Sequence, residues 1–228
     1  MMSWLFLFMA KITALTIQKR NKERISIFLD GEFAFGLMAS AATGLRAGQL
    51  LSGSEVAALK ELDEAEKAKK AALHLISRRP QSKAEIEQKL RKNKYDDLII
   101  DQVIDHLIAV DLLDDAAFAE YWVEQRETFR PRSRLALRQE LRQKGINREI
   151  IETAVEQVDE TSAARQAAAK QARRWTRLSE DEYRIKLGRY LQRLGFPYDI
   201  IKDTTNISWQ AVNEEDAFDS NLPDFEGE

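Results

Sequence analysis

The sequence predicts a mainly α protein: three tandem three-helix repeats preceded by a small β-hairpin-rich N-terminal module. Three observations carry that expectation. Leucines at positions 90, 141 and 191 stand 51 and 50 residues apart, and apolar residues recur in register around each. Ile86, Leu137 and Leu187 lie four before; Tyr95, Ile146 and Phe196 five after; Ile99-Ile100, Ile150-Ile151 and Ile200-Ile201 nine and ten after. Only four prolines and nine glycines punctuate the 228 residues, which favours long helices over loops. Near the N-terminus the period changes to two, and Asp30-Gly31 sits between two apolar runs. That dipeptide is the strongest short hairpin signal, because a type I′ turn needs positive φ at both central residues.

In chain order, residues 1–10 form an apolar leader. Its run from Trp4 to Ala10 is too short to span a bilayer. No basic segment precedes it and no small-residue cleavage site follows. The leader is expected to be unstructured, an extension upstream of an ordinary start at Met9. The β-rich module is expected over 11–54. Strands are read from Ile12 to Phe35, and the stretch from Gly36 to Leu51 is ambiguous.

The repeats are expected over 55–112, 113–158 and 159–209. Each opens with a first helix, at about 63–78, 115–128 and 161–176. The second helix contains the anchor leucine and the third the double isoleucine. Ser82-x-x-Glu85 and Ser179-x-x-Glu182 are capping-box patterns. Pro80 and Pro131 bias the residues before them away from helix. Gly145 and Gly195 suit a left-handed helix end, and Asn147 can cap the helix that follows. Each anchor and the apolar residue four before it share one buried face. Residues 210–228 hold Glu214, Glu215, Asp216, Asp219, Asp224, Glu226 and Glu228, with no lysine or arginine. This acidic tail is expected to be disordered.

The net charge of −3 hides a basic band. The second copy is richest, with Arg126, Arg130, Arg132, Arg134, Arg138, Arg142, Lys144 and Arg148 opposed only by Glu127 and Glu140. Arg134, Arg138 and Arg142 follow i, i+4, i+8 spacing, so they form one ridge about 100° from the leucine stripe and can reach solvent. Arg78, Arg79, Lys83, Lys89, Arg91, Lys92 and Lys94 stand in the first copy; Arg173, Arg174, Arg177, Arg184, Lys186, Arg189 and Arg193 stand in the third. One charge run is normally a solvated face. Three runs in register favour a surface for nucleic-acid phosphates or an acidic protein groove.

Other chemistry finds little support. There is no cysteine, so disulfides and thiolate metal sites are excluded. His74 and His106 lie in different helices. Asp114-Asp115 reads as a helix N-terminus, and Trp122 and Trp175 read as packing. No phosphate-binding loop, nucleophile elbow or dinucleotide fingerprint is present. No cofactor, metal or catalytic residue is expected.

The segment "DDAAFAEYWVEQR" (114–126), followed by "RPRSRLALRQELRQKGI" (130–146), resembles the signature of the bacterial RecX family of regulatory proteins. "RRPQSKAEIEQKL" is similar to the first-repeat form, and "RISIFLDGEFAFGL" resembles the N-terminal β extension of longer members. The resemblance implies a cytoplasmic, monomeric, non-enzymatic modulator of the RecA recombinase, with no cofactor and no membrane partner. It implies a curved, elongated array of three repeats lying in the groove of the RecA–single-stranded DNA filament. There such proteins suppress filament extension, strand exchange, ATP hydrolysis and co-protease activity. The residues expected to contact filament or DNA are Arg79, Lys83, Arg91, Arg126, Arg130, Arg132, Arg134, Arg138, Arg142 and Lys144. The leader and acidic tail depart from the family pattern, as does Tyr183, which stands where the other copies have Ser82 and Ser133. The alternative is a nucleic-acid-binding helical repeat protein without a recombinase partner.

Overall fold

The computed structural model describes residues 9–172, 174–175 and 178–219. The leader before Met9 and the tail beyond Asp219 lie outside the described residues. The chain divides into two compact units, Met1–Leu113 and Asp114–Glu228.

The first unit opens with four antiparallel strands: β1 (Ala10–Ile17), β2 (Arg24–Leu29), β3 (Glu32–Met38) and β4 (Leu50–Leu51), in the order β3-β2-β1-β4. Asp30 and Gly31 take φ of 50° and 94° and pair Leu29 with Glu32 across the β2–β3 turn, as the dipeptide predicts. One sheet face buries Ile27 and Leu37 with Ala41 and Ala42. The ambiguous stretch after Phe35 resolves into the end of β3, a turn and the short β4.

Helix α1 (Gly53–Ile76) begins ten residues before its expected start, behind a capping box made by Ser52 and Glu55. Those extra turns bring Leu59 and Asp63 against the sheet. Asp63 is only 3% exposed. It accepts from the Met38 backbone N–H, from Lys67 Nζ at 2.8 Å and from Arg24 Nη2 at 3.4 Å. A buried carboxylate is tolerated because three donors replace its hydration. Arg24 also donates to the Gly36 carbonyl at 2.7 Å, so one charge network fastens three segments of the unit. The repeat is completed by α2 (Lys83–Lys92) and α3 (Asp97–Ala109).

The second unit contains α4 (Asp115–Phe129), α5 (Arg134–Gln143) and α6 (Arg148–Glu156), then α7 (Glu160–Ala172), α8 (Glu180–Arg193) and α9 (Tyr198–Asp219). Each repeat closes its own core. The pairs Ile86/Leu90, Leu137/Leu141 and Leu187/Leu191 are all fully buried.

The register read from the sequence has a backbone cause. Lys94, Gly145 and Gly195 take φ of 67°, 76° and 89°. The next N–H in each case returns to the anchor carbonyl: Tyr95 to Leu90, Ile146 to Leu141 and Phe196 to Leu191, at 3.1–3.3 Å. The N–H groups of Lys94, Gly145 and Gly195 return to Arg91, Arg142 and Gln192. These are the two bonds of a Schellman stop, with the apolar residue beyond the left-handed position packed on the helix it has just left.

The starts differ. Ser82 and Ser133 cap α2 and α5, whereas Ser179 caps α8 a full turn earlier. Tyr183 therefore lies inside α8, fully buried, with its hydroxyl 2.6 Å from Ser208 Oγ and its ring 5.2 Å from that of Trp209. That contact needs a longer partner. Helix α9 continues past Gln210 to Asp219, and Val212 enters the core. The acidic segment expected to be disordered from residue 210 is thus helical over its first ten residues. The apolar period there is carried by Trp209 and Val212, and the acidic composition masks it.

Repeats two and three meet at Gly195. The Ser133 N–H donates to the Leu194 carbonyl at 3.2 Å, and a Cβ on Gly195 would lie 2.5 Å from Ser133 Oγ.

Three stability tests follow from this geometry. Lys94→Gly relieves a left-handed side-chain conformation and should raise stability by about 0.5–1 kcal/mol. Gly195→Ala should cost more than Gly44→Ala in urea unfolding. Both positions have positive φ, but the space at Gly44 is open; a smaller cost at Gly195 would show that the Ser133 side chain yields. Asp63→Ala should cost about 3 kcal/mol because it orphans the buried donors. Asp63→Asn, which keeps an acceptor for Met38, should cost clearly less.

Candidate nucleic-acid interface

The basic residues marked out by the sequence fall into three structural groups. In the first repeat, Arg79 lays its guanidinium fork on Glu85 at 2.9 and 3.0 Å. Lys83 pairs with Glu87 at 3.8 Å, and Arg91 with Asp97 at 3.0 Å across the α2–α3 turn. Lys89 and Lys92 are exposed and have no carboxylate partner among the described residues. They border a shallow groove of about 340 Å³ that is also lined by Leu75, Gln81 and Gln88. Both lysines belong to the basic band of the first copy but not to the expected contact residues. The signal that separates them from Arg79 and Arg91 is the absence of a nearby acid, which only the fold reveals.

In the second repeat the charges converge on Glu140. Its carboxylate accepts from Trp122 Nε1 at 2.8 Å and Arg126 Nε at 2.6 Å, and lies 3.4 Å from Arg132 Nε. The Arg132 contact is an ion pair without hydrogen-bond alignment. Arg126 also stands 4.4 Å from the Trp122 ring centre, and Lys144 stands 4.7 Å from it. Trp122 stacks on Phe118 and borders the repeat's core, in line with its reading as packing.

The expected ridge of Arg134, Arg138 and Arg142 divides. Arg134 turns back onto the C-terminus of α6: Nε and Nη2 donate to the Val158 carbonyl at 2.9 and 2.7 Å, and Nη2 donates to that of Glu156 at 3.1 Å. A guanidinium there meets carbonyls without intrahelical partners and the negative end of the helix dipole. Its own backbone N–H donates to Glu160 Oε1 at 2.9 Å, tying α5 to the start of α7. Arg138 pairs with Glu152 at 2.8 Å. Arg142, one turn further on, is exposed and has no ion pair among the described residues, as does Arg130.

The third repeat is different in sign where α8 begins. Glu180, Asp181 and Glu182 occupy its first turn. The Ser179 backbone N–H and hydroxyl hold the Glu182 carboxyl below the usual carboxylate range, so it stays charged. Arg184 is paired with Glu180, and Lys186 stands 4.9 Å from the Trp175 ring centre. Arg173 and Arg177 lie outside the described residues.

Asp114 caps α4 by accepting from Ala116 and Ala117, the role its sequence position suggested. Among the described residues no group of three or more His, Cys, Asp or Glu side chains could hold a metal ion, and no helix is long and apolar enough to cross a membrane.

Comparison with known proteins matches the whole repeat plan. Models described as the RecX regulatory protein N-terminal domain and the first, second and third RecX three-helix domains match residues 10–51, 68–107, 114–155 and 158–204. A regulatory protein RecX of Clostridium botulinum (strain Eklund 17B / Type B) is 32% identical over 91% of this chain and 99% of its own length. Its counterpart in Clostridium tetani is 31% identical, covering 86% and 93% of the two chains. A crystal structure of regulatory protein RecX superposes with a TM-score of 0.66 at 29% identity, over 85% of this chain and 99% of that one. RecX from Lactobacillus salivarius gives a TM-score of 0.56 at 29% identity, over 66% and 99%.

The division of the ridge sets opposite expectations for charge reversal. Arg134→Glu removes the α6 cap and puts a carboxylate against carbonyls, so thermal or urea unfolding should show destabilisation by about 2–3 kcal/mol. Arg142→Glu should stay within about 0.5 kcal/mol of the parent. Equal effects at both positions would refute the assignment.

Proposed function

The chain belongs to the RecX family of regulatory proteins, and from that premise we propose that it binds the RecA–single-stranded DNA filament and inhibits RecA. The inhibited activities are recombination, ATP hydrolysis and co-protease action, which makes the protein a cytoplasmic modulator of recombination and DNA repair. It acts as a monomer without a cofactor, and its DNA contacts are made mainly through the filament.

The observation that carries the reading is the persistence of uncompensated cations on the second helices and the segments beside them. Arg130 and Arg142 in the second repeat, and Lys89 and Lys92 in the first, keep their charge free of carboxylates among the described residues. Polyanionic phosphates or an acidic protein surface would be drawn to them. Arg79, Lys83, Arg91, Arg126, Arg132 and Arg138 can also contribute, but only by giving up a carboxylate partner within the protein. Arg134 serves the fold first.

The test is the ATPase of the cognate RecA on single-stranded DNA, titrated with this protein. Inhibition is expected. The double variant Arg130→Glu, Arg142→Glu should need about tenfold more protein for half-inhibition, roughly 1.4 kcal/mol, with an unchanged melting curve. No effect of the parent protein on ATPase, combined with salt-sensitive DNA binding, would leave a nucleic-acid-binding repeat protein without a recombinase partner.

A further inference from the structure

The β1–β2 turn is a strongly charged surface outside the three repeats. Its sequence, Gln18-Lys19-Arg20-Asn21-Lys22-Glu23, carries three cations within four residues. All three, Lys19, Arg20 and Lys22, are exposed, and none has an ion pair among the described residues. The acidic neighbour that could neutralise them, Glu23, is instead paired with Lys70 of α1. The next arginine, Arg24, is turned inward to Asp63 and the Gly36 carbonyl. The tip is therefore locally positive without internal compensation, unlike Arg79, Arg91, Arg126 and Arg138 in the repeats.

The tip is also shaped. The Gln18 N–H donates to the Arg24 carbonyl at 2.9 Å, and the Arg24 N–H donates to that of Asn21 at 3.1 Å. Asn21 Oδ1 accepts from the Glu23 N–H at 3.1 Å, and the Gln18 side chain donates to Ser26 Oγ at 3.2 Å. Gln18 and Asn21 thus spend their polar groups on the turn, and the three cations are presented from an ordered backbone. Ordering the turn in advance lowers the entropy lost when a ligand binds. So few residues keep the charges within about one Debye length, roughly 10 Å at 0.1 M salt, so they act as one field.

We infer that this hairpin tip is a nucleic-acid contact, binding phosphodiester groups through Lys19, Arg20 and Lys22 without reading sequence. A protein partner fits less well. Residues 18–23 offer no aromatic or large aliphatic side chain, and protein interfaces draw their energy from such buried anchors. Lysine-rich, exposed charge instead matches sequence-independent phosphate binding, in which affinity comes from counterion release. The tip lies in the N-terminal module and stands apart from the RecA reading.

The experiment measures binding of the full chain to a labelled single-stranded oligonucleotide, without recombinase, across a salt series. Substituting Lys19→Gln, Arg20→Gln and Lys22→Gln should flatten the slope of log affinity against log salt by about 2, at roughly 0.7 for each phosphate left unneutralised. Affinity at the lowest salt should fall tenfold or more. Glu23→Gln acts in the opposite direction: it frees Lys70 and should steepen the slope by about 0.7. Neither change touches the core, so melting curves should coincide with the parent, and the opposed signs keep the test decisive if the triple variant were destabilised. A parent slope retained in both variants would overturn the proposal. So would a triple variant that binds DNA normally yet no longer inhibits RecA, because that outcome makes the tip a protein-binding element. A flattened slope in a chain that never inhibits RecA would uphold the tip and reject the RecA reading alone.

Discussion

The architecture depends on how each second helix is stopped. Leu90, Leu141 and Leu191 do two things at once: the side chain fills the repeat core, and the carbonyl receives the N–H from five residues on. That bond forces a left-handed residue between them, which turns the chain sharply and returns Tyr95, Ile146 or Phe196 to the helix just completed. The third helix then starts from a set direction, with Asp96 or Asn147 capping it in the first two copies and Pro197 standing at the equivalent place in the third. A repeat of this size has little apolar surface to spare. Fixing the crossing of its second and third helices through the backbone lets a few leucines and isoleucines make a complete core.

The same economy governs the charges. A short helix exposes a large fraction of its backbone groups at its ends. Arg134 and Lys170 answer this directly: the first donates to the carbonyls of Glu156 and Val158, the second to those of Thr128 and Phe129. Glu140 gathers Trp122, Arg126 and Arg132 and so joins α4, the turn after it and α5. Much of the arginine excess in the second repeat is therefore structural mortar. A binding surface built on such a frame consists of what remains, and what remains is smaller than the composition suggests.

The β module is fastened to the first repeat by charge as well as by packing. Asp63 sits where the strands meet α1 and answers a backbone N–H, an arginine and a lysine from different segments. Its effect reaches the surface. With Arg24 drawn inward to Asp63 and Glu23 drawn to Lys70, the intervening turn is left with its positive charges and no carboxylate to answer them.

Much of this was legible in the residues because it is local. Helix and strand periods, the Ser82 and Ser179 capping boxes, the Asp30-Gly31 turn, the Gly145 and Gly195 stops and the fifty-residue register all arise between residues close in the chain. Backbone sterics and 3.6-residue geometry settle them before any long-range contact forms. The early start of α1 was equally local, since Ser52 and Glu55 form the same capping box as the others, but it was masked by the glycines before it. The extension of α9 was not local: Trp209 and Val212 make it worthwhile only because Tyr183 is waiting in α8. Nor could spacing assign partners to the arginines. Arg134, Arg138 and Arg142 share one ridge by helical geometry, yet one meets carbonyls, one a glutamate and one solvent. Helical periodicity sets the direction in which a side chain leaves its helix; what stands in that direction is decided by the packing of segments distant in the sequence.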